Sequence, residues 1–139
     1  MRTFDIPGKP AGKGRPRVTT IGGHARQYSP AKTASYESKA AYCYRAAHPN
    51  AEPYPANVAL EVNITAVFAI PASWPKKRKA AAMWHTGKPD CDNVAKICCD
   101  ALNGIAWHDD AQVARISVNK RYGAECTGEY TVVTISELT

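Results

Sequence analysis

A chain of 139 residues with 45% apolar and 22% charged side chains has the make-up of one globular domain, able to bury roughly two-thirds of its unfolded surface in a single core. No apolar run approaches the roughly 20 residues of a membrane span, and Met1-Arg-Thr-Phe-Asp-Ile-Pro lacks an apolar signal core, so a cytoplasmic protein with no membrane partner is expected. The net charge of +6 is unevenly placed: residues 1–45 hold nine basic against two acidic side chains, a balance of +7, and the remainder balances at −1. A basic third joined to an acidic stretch suits a polyanion that one part grips and the other cuts.

Arg2 to Ile6 alternates and reads as a first strand, stopped by Pro7-Gly8. Gly8-Lys-Pro-Ala-Gly-Lys-Gly-Arg-Pro-Arg17 follows, too rich in glycine and proline for a regular element. Its cations Lys9, Lys13, Arg15 and Arg17 are expected to touch a DNA backbone, although the order of residues is not that of a phosphate-binding P-loop. Ile21-Gly22-Gly23-His24 marks a hairpin turn. Ser29-Pro30 predicts a helix start, with Ser29 as N-cap and Pro30 at the first helical position. That helix should run to about Ala47 and bury Tyr36, Ala40, Cys43, Tyr44 and Ala47. After a proline-rich connector over 50–56, strict alternation from Val58 to Ile70 gives the clearest strand. Trp74 to Met83 reads as a short basic helix whose Lys76, Lys77, Arg78 and Lys79 are further candidates for phosphate contact.

The stretch from Lys88 to Gln112 concentrates the acids: Asp90, Asp92, Asp100, Asp109 and Asp110, five of the ten that follow residue 45. Crowded carboxylates raise one another's pKa unless a cation relieves them, and an all-oxygen set favours Mg²⁺ or Mn²⁺ over zinc. If Asp90-Cys91-Asp92 is extended, its two carboxylates share a face and reach one ion. A helix then starts near Asp92 or Asn93 with Val94, Ile97, Cys98, Ala101 and Leu102 as its core stripe. Asp92, Lys96 and Asp100 follow at i, i+4 on another face, and Asn103-Gly104 closes the helix. His108-Asp109-Asp110 leads into a strand over about 112–121, with Ala114, Ile116 and Val118 pointing inward. The alternative is that Asp92 caps the helix, Asp100 pairs with Lys96, and Asp109-Asp110 occupies a turn. Five cysteines without a CxxC pair read as reduced, buried thiols rather than a zinc site.

Lys-Pro-Asp-x-Asp-Asn-x-x-Lys, then Asp-Ala-Leu-Asn-Gly, then Trp-x-Asp-Asp-x-Gln-Val, behind the opening Gly-Lys-Pro-x-Gly-Lys-Gly-Arg-Pro-Arg, resembles the RusA-like Holliday junction resolvases, often phage- or prophage-encoded. The resemblance runs from Phe4 to about Tyr122. It implies one α/β (α+β) domain, a mixed sheet packed against two main helices. It further implies a homodimer that cuts four-way DNA junctions with Mg²⁺ (Mn²⁺ substituting) and no organic cofactor, in a bacterial or phage-infected cell. Asp90, Asp92 and Asp110 match the catalytic, metal-holding carboxylates, Lys96 the essential lysine, and Asp109 and Asp100 acidic positions of less defined role. We add Asp109 to the metal set and Lys88 to the DNA-binding set. Val132 and Val133 of the last strand are candidates for the dimer surface and equally good core residues. Rival expectations are a non-catalytic DNA-binding module and a metal nuclease for other branched nucleic acids.

Overall fold

The computed structural model describes residues 1–14, 17–28, 30–124 and 128–139, with only part of the side chains over 17–28. Arg15, Ser29 and Cys126, and the side chain of Arg17, lie outside that description. Among the described residues, six strands and three helices follow one another as β1 (Arg2–Pro7), β2 (Arg17–Ile21), β3 (His24–Tyr28), α1 (Ala31–Ala47), β4 (Leu60–Phe68), α2 (Lys76–Ala81), α3 (Cys91–Leu102), β5 (Val113–Tyr122) and β6 (Tyr130–Glu137). The β2–β3 hairpin turns on Gly22 and Gly23, whose φ of 59° and 81° are the left-handed pair that a two-residue hairpin loop demands. Pro30 is the N-cap of α1 rather than its first helical residue: Pro30 is extended, and its carbonyl accepts the amide of Ala34 at 3.1 Å.

Four strands form the main sheet in the order β1-β6-β4-β5. β6 runs antiparallel to both β1 and β4, whereas β4 and β5 are parallel. Parallel neighbours need a long crossover, and the segment between β4 and β5 supplies it with α2 and α3. α1 and α3 cover one face. Phe4, Ile6, Leu60, Val62, Ile64, Phe68, Val133 and Ile135 meet Tyr36, Ala40 and Tyr44 of α1 and Val94, Ile97, Cys98 and Leu102 of α3 in one core. The other face bears polar ladders: Thr3 with Thr134 at 3.1 Å, Glu61 with Arg115 at 3.2 Å, and Asn63 with Ser117. The mixed α+β architecture is the expected one, with α2 as a third, short helix that buries no residue.

Three local expectations need correction, and one left open is decided. Ala47 is exposed because it ends α1, and Cys91 is exposed in the first turn of α3, so neither is core. Ala114 and Ile116 stay exposed because β5 is the sheet's edge; only Val113, Val118 and Tyr122 of that strand reach the core. The last strand is internal, so Val133 is fully buried and offers no outer surface, while Val132 lies half-buried.

The basic loop over 8–14 runs between the N-terminal ends of α1 and α3. A Cβ at Gly12 would lie 2.6 Å from Cβ of Pro89 and 3.1 Å from Cβ of Asn93. Lack of space, not backbone freedom, requires glycine there. Gly12→Ala is expected to lower unfolding stability by about 1–3 kcal/mol, the usual cost of overpacking. Urea unfolding of the two proteins measures it, and an unchanged midpoint would show that the loop yields freely.

Candidate active site at the start of the acidic helix

Lys88-Pro89, a cis peptide, brings the chain to Asp90, the N-cap of α3. The Asp90 carbonyl accepts the amide of Val94 at 3.0 Å, which winds Cys91 and Asp92 into the first helical turn. The extended geometry expected for Asp90-Cys91-Asp92 is therefore not what places these two carboxylates; a helix turns about 100° per residue. Asp92 is not the cap, and the Asp90 side chain makes no capping bond. Both residues are exposed, and among the described residues neither carboxylate has a side-chain partner. Two free carboxylates thus stand at a helix N-terminus, where negative charge is favoured.

The other three acids are engaged. Asp100 pairs with Lys13 at 3.0 Å, not with Lys96, and Lys13 also binds Glu37 of α1 at 2.7 Å. Burial works against the charge on Lys13, but Glu37 and Asp100 outweigh it and hold its pKa above the ordinary value. Asp109 accepts the amide of Ala111 at 2.9 Å and caps the 3₁₀ turn Asp110–Gln112. Asp110 accepts the indole N–H of Trp107 at 2.8 Å. Partial burial pushes the Asp110 pKa up; the Trp107 bond opposes this, and the charges of Asp100 and Asp109 add to it. Asp92 and Asp100 are separated by eight residues of helix, about 12 Å. The acids therefore form two groups, a free pair at the start of α3 and a bonded set near its end. Among the described residues, no three Asp, Glu, His or Cys side chains converge tightly enough to hold one ion by themselves.

Cations surround the free pair. A pocket of about 400 Å³ is lined by Lys9, Gly12, Lys13, Lys88, Pro89, Asp90 and Asn93. Lys9 and Lys88 are exposed there, and Lys13 is turned inward to its two carboxylates. Lys96, one turn beyond Asp92, is exposed and unpaired among the described residues. Lys76, Lys77 and Arg78 are exposed on α2, with the Arg78 guanidinium 3.7 Å above the Trp74 ring. The other cations of the basic loop, Arg15 and Arg17, fall outside the described side chains.

Two supports escape a reading by local pattern. Lys120 of β5 donates to the carbonyls of Gly87 and Pro89 at 2.6 and 2.7 Å, fixing the approach to Asp90. Its partners lie more than thirty residues away, so no spacing rule finds them. His85 stacks flat on Phe68 with centroids 3.7 Å apart. Burial, then the charges of Lys120 and Lys9, lower its pKa. A third, Gln112, was detectable. Asp109-Asp-Ala-Gln112 has the capping-box spacing, and Gln112 closes the box by accepting the amides of His108 and Asp109 at 2.9 and 3.1 Å. Its amide also donates to the carbonyls of Pro55 and Val58 at 2.7 and 3.0 Å.

The family model described as Endodeoxyribonuclease RusA matches residues 7–135 of the chain. Among curated proteins, the uncharacterised protein YqaN of Bacillus subtilis strain 168 is 31% identical over 126 residues, 88% of either chain.

Gln112→Ala should unpair two amides and two carbonyls at once and cost at least about 2 kcal/mol by chemical denaturation. Gln112→Glu, which keeps the acceptor and loses the donor, should retain part of that stability. The raised pKa of Asp110 means that the folded chain binds more protons than the unfolded chain between the ordinary carboxyl value and the raised one. Stability therefore falls as pH rises through that window, and the full cost is present above it. Asp110→Asn, which can still accept from Trp107, should raise the melting temperature near pH 7 and leave it unchanged at about pH 3. Equal gains at both pH values would dissociate the effect from titration.

Proposed function

Since the chain belongs to the RusA endodeoxyribonuclease family, we propose that it resolves four-way DNA junctions by paired phosphodiester hydrolysis, as a Mg²⁺-dependent homodimer acting in recombination and repair in a bacterial or phage-infected cell. The observation that carries this reading is the free pair Asp90 and Asp92, set among Lys9, Lys88 and Lys96 in an otherwise bonded acidic stretch.

The donor set fits the ion. Mg²⁺ is commonly held by one or two carboxylates together with substrate phosphates, and two exposed all-oxygen side chains meet that need without a third protein ligand in place. Asp90 and Asp92 would hold it; Asp110 would join them only if the Trp107 bond breaks and the two groups of acids close on each other. When bound, the ion supplies Lewis acidity to the scissile phosphate and acidifies the attacking water. The side chains do the rest. Lys9 and Lys88 engage phosphates on the two sides of the scissile bond, and Lys96 donates to the charge that develops on the leaving oxygen. The N-terminus of α3 adds its positive dipole end. Lys76, Lys77 and Arg78 extend the backbone contact along α2. Two such sites related by a two-fold axis cut a symmetric junction at paired positions and leave 5′-phosphates.

Cleavage of an end-labelled synthetic four-way junction in Mg²⁺ tests the reading, with linear duplex and Asp90→Asn protein as controls. Paired cuts near the crossover are expected, slowed by about 100-fold or more in Asp90→Asn while binding persists. Tight binding without cleavage in Mg²⁺ or Mn²⁺ would favour a non-catalytic DNA-binding module instead. Equal cutting of linear duplex would keep the nuclease and remove its junction preference.

A further inference from the structure

Large apolar side chains on a small domain are ordinarily drawn inward. Here Trp84 is 58% and Met83 60% exposed. The cause is local pairing on the sheet edge. Tyr122 donates its amide to Met83 at 2.9 Å, His85 donates to Lys120 at 3.0 Å, and Trp84 bridges Arg121. His85 is thereby seated on Phe68, and Trp84 is left outside. Trp84 lines a cavity of about 390 Å³ together with Trp74, Arg78 and Thr86. Trp74 is held edge-on against Tyr122 at 5.2 Å, with Arg78 over its face at 3.7 Å.

An occupant for this place must be flat, able to stack, and attached to negative charge, because Lys76 and Lys77 are exposed on the same short helix as Arg78. A nucleobase on its phosphate chain has all three properties, and aromatic side chains with arginine are the usual platform for it. Bases inside a duplex hide their faces, so only an unstacked base qualifies. Trp84 precedes Asp90 by six residues, at most about 20 Å of chain. We propose that the Trp74–Trp84 pocket stacks an unpaired base of the strand being cut, next to the point where strands part. The inference rests on DNA being the substrate and adds a reader of unpaired bases to the backbone contacts.

The test reads binding apart from cleavage. Full-length Asp90→Asn protein, without divalent metal, is titrated with single-stranded oligothymidine, a four-way junction and a linear duplex, following tryptophan fluorescence. Oligothymidine should quench the fluorescence of Trp74 and Trp84. Trp84→Ala should weaken oligothymidine and junction binding by about 5- to 150-fold and leave duplex binding unchanged, with Trp84→Phe retaining most of the affinity. Equal losses on all three DNAs, or none on oligothymidine, would overturn the proposal. So would sedimentation showing that Trp84→Ala dissociates a dimer, since the patch would then be a protein interface. Stacking of oligothymidine by a protein that cuts no junction would leave this inference standing and sink the cleavage reading.

Discussion

The ion-paired ammonium of Lys13 is the constraint on which the arrangement depends. Its side chain is 15% exposed and reaches Glu37 on α1 and Asp100 on α3, while its backbone amide donates to Asn93 at 2.9 Å. A charge so far from water is tolerable only when paired and hydrogen-bonded. Three segments distant in sequence are thereby tied at one nitrogen. The tie also brings the loop so close to α3 that no side chain fits at Gly12.

That tie engages one of the acids, and local bonds engage two more. Asp100 neutralises Lys13, Asp109 caps a turn, and Asp110 is held by Trp107. Each engagement removes a carboxylate from the cluster that the sequence presents. What is left over is Asp90 and Asp92, which the helix start displays without using. Among the described residues this pair of carboxylates makes no side-chain bond, and it stands against a basic rim, which is the arrangement the proposed function draws on.

Support for that pair comes from the opposite side of the molecule's topology. Parallel pairing of β4 and β5 sends the chain across the sheet through α2 and α3, and the returning strand β5 delivers Lys120 to the carbonyls of Gly87 and Pro89. The same strand edge carries Met83 to His85, which is how an exposed tryptophan comes to lie within six residues of Asp90. Site and stacking surface are thus two outcomes of one crossover.

Periodicity by itself determined α1, β4 and α3, because the core stripe of a helix or strand depends on spacing along the chain. The Gly22-Gly23 turn and the crowding of acids before Gln112 were equally legible, and the motif order carried the family. Local pattern failed where a neighbour in space decides exposure. Ile116 alternates like a core residue but lies on an edge strand, and Val133 fits outer surface and core equally well by pattern until its central strand buries it. It failed again for Asp100, whose i, i+4 partner Lys96 loses to a lysine far away in the chain that arrives already desolvated. Whether Asp100 is free or spent depends on a pairing across more than eighty residues. Residue spacing encodes no such distance; only the packed tertiary structure does.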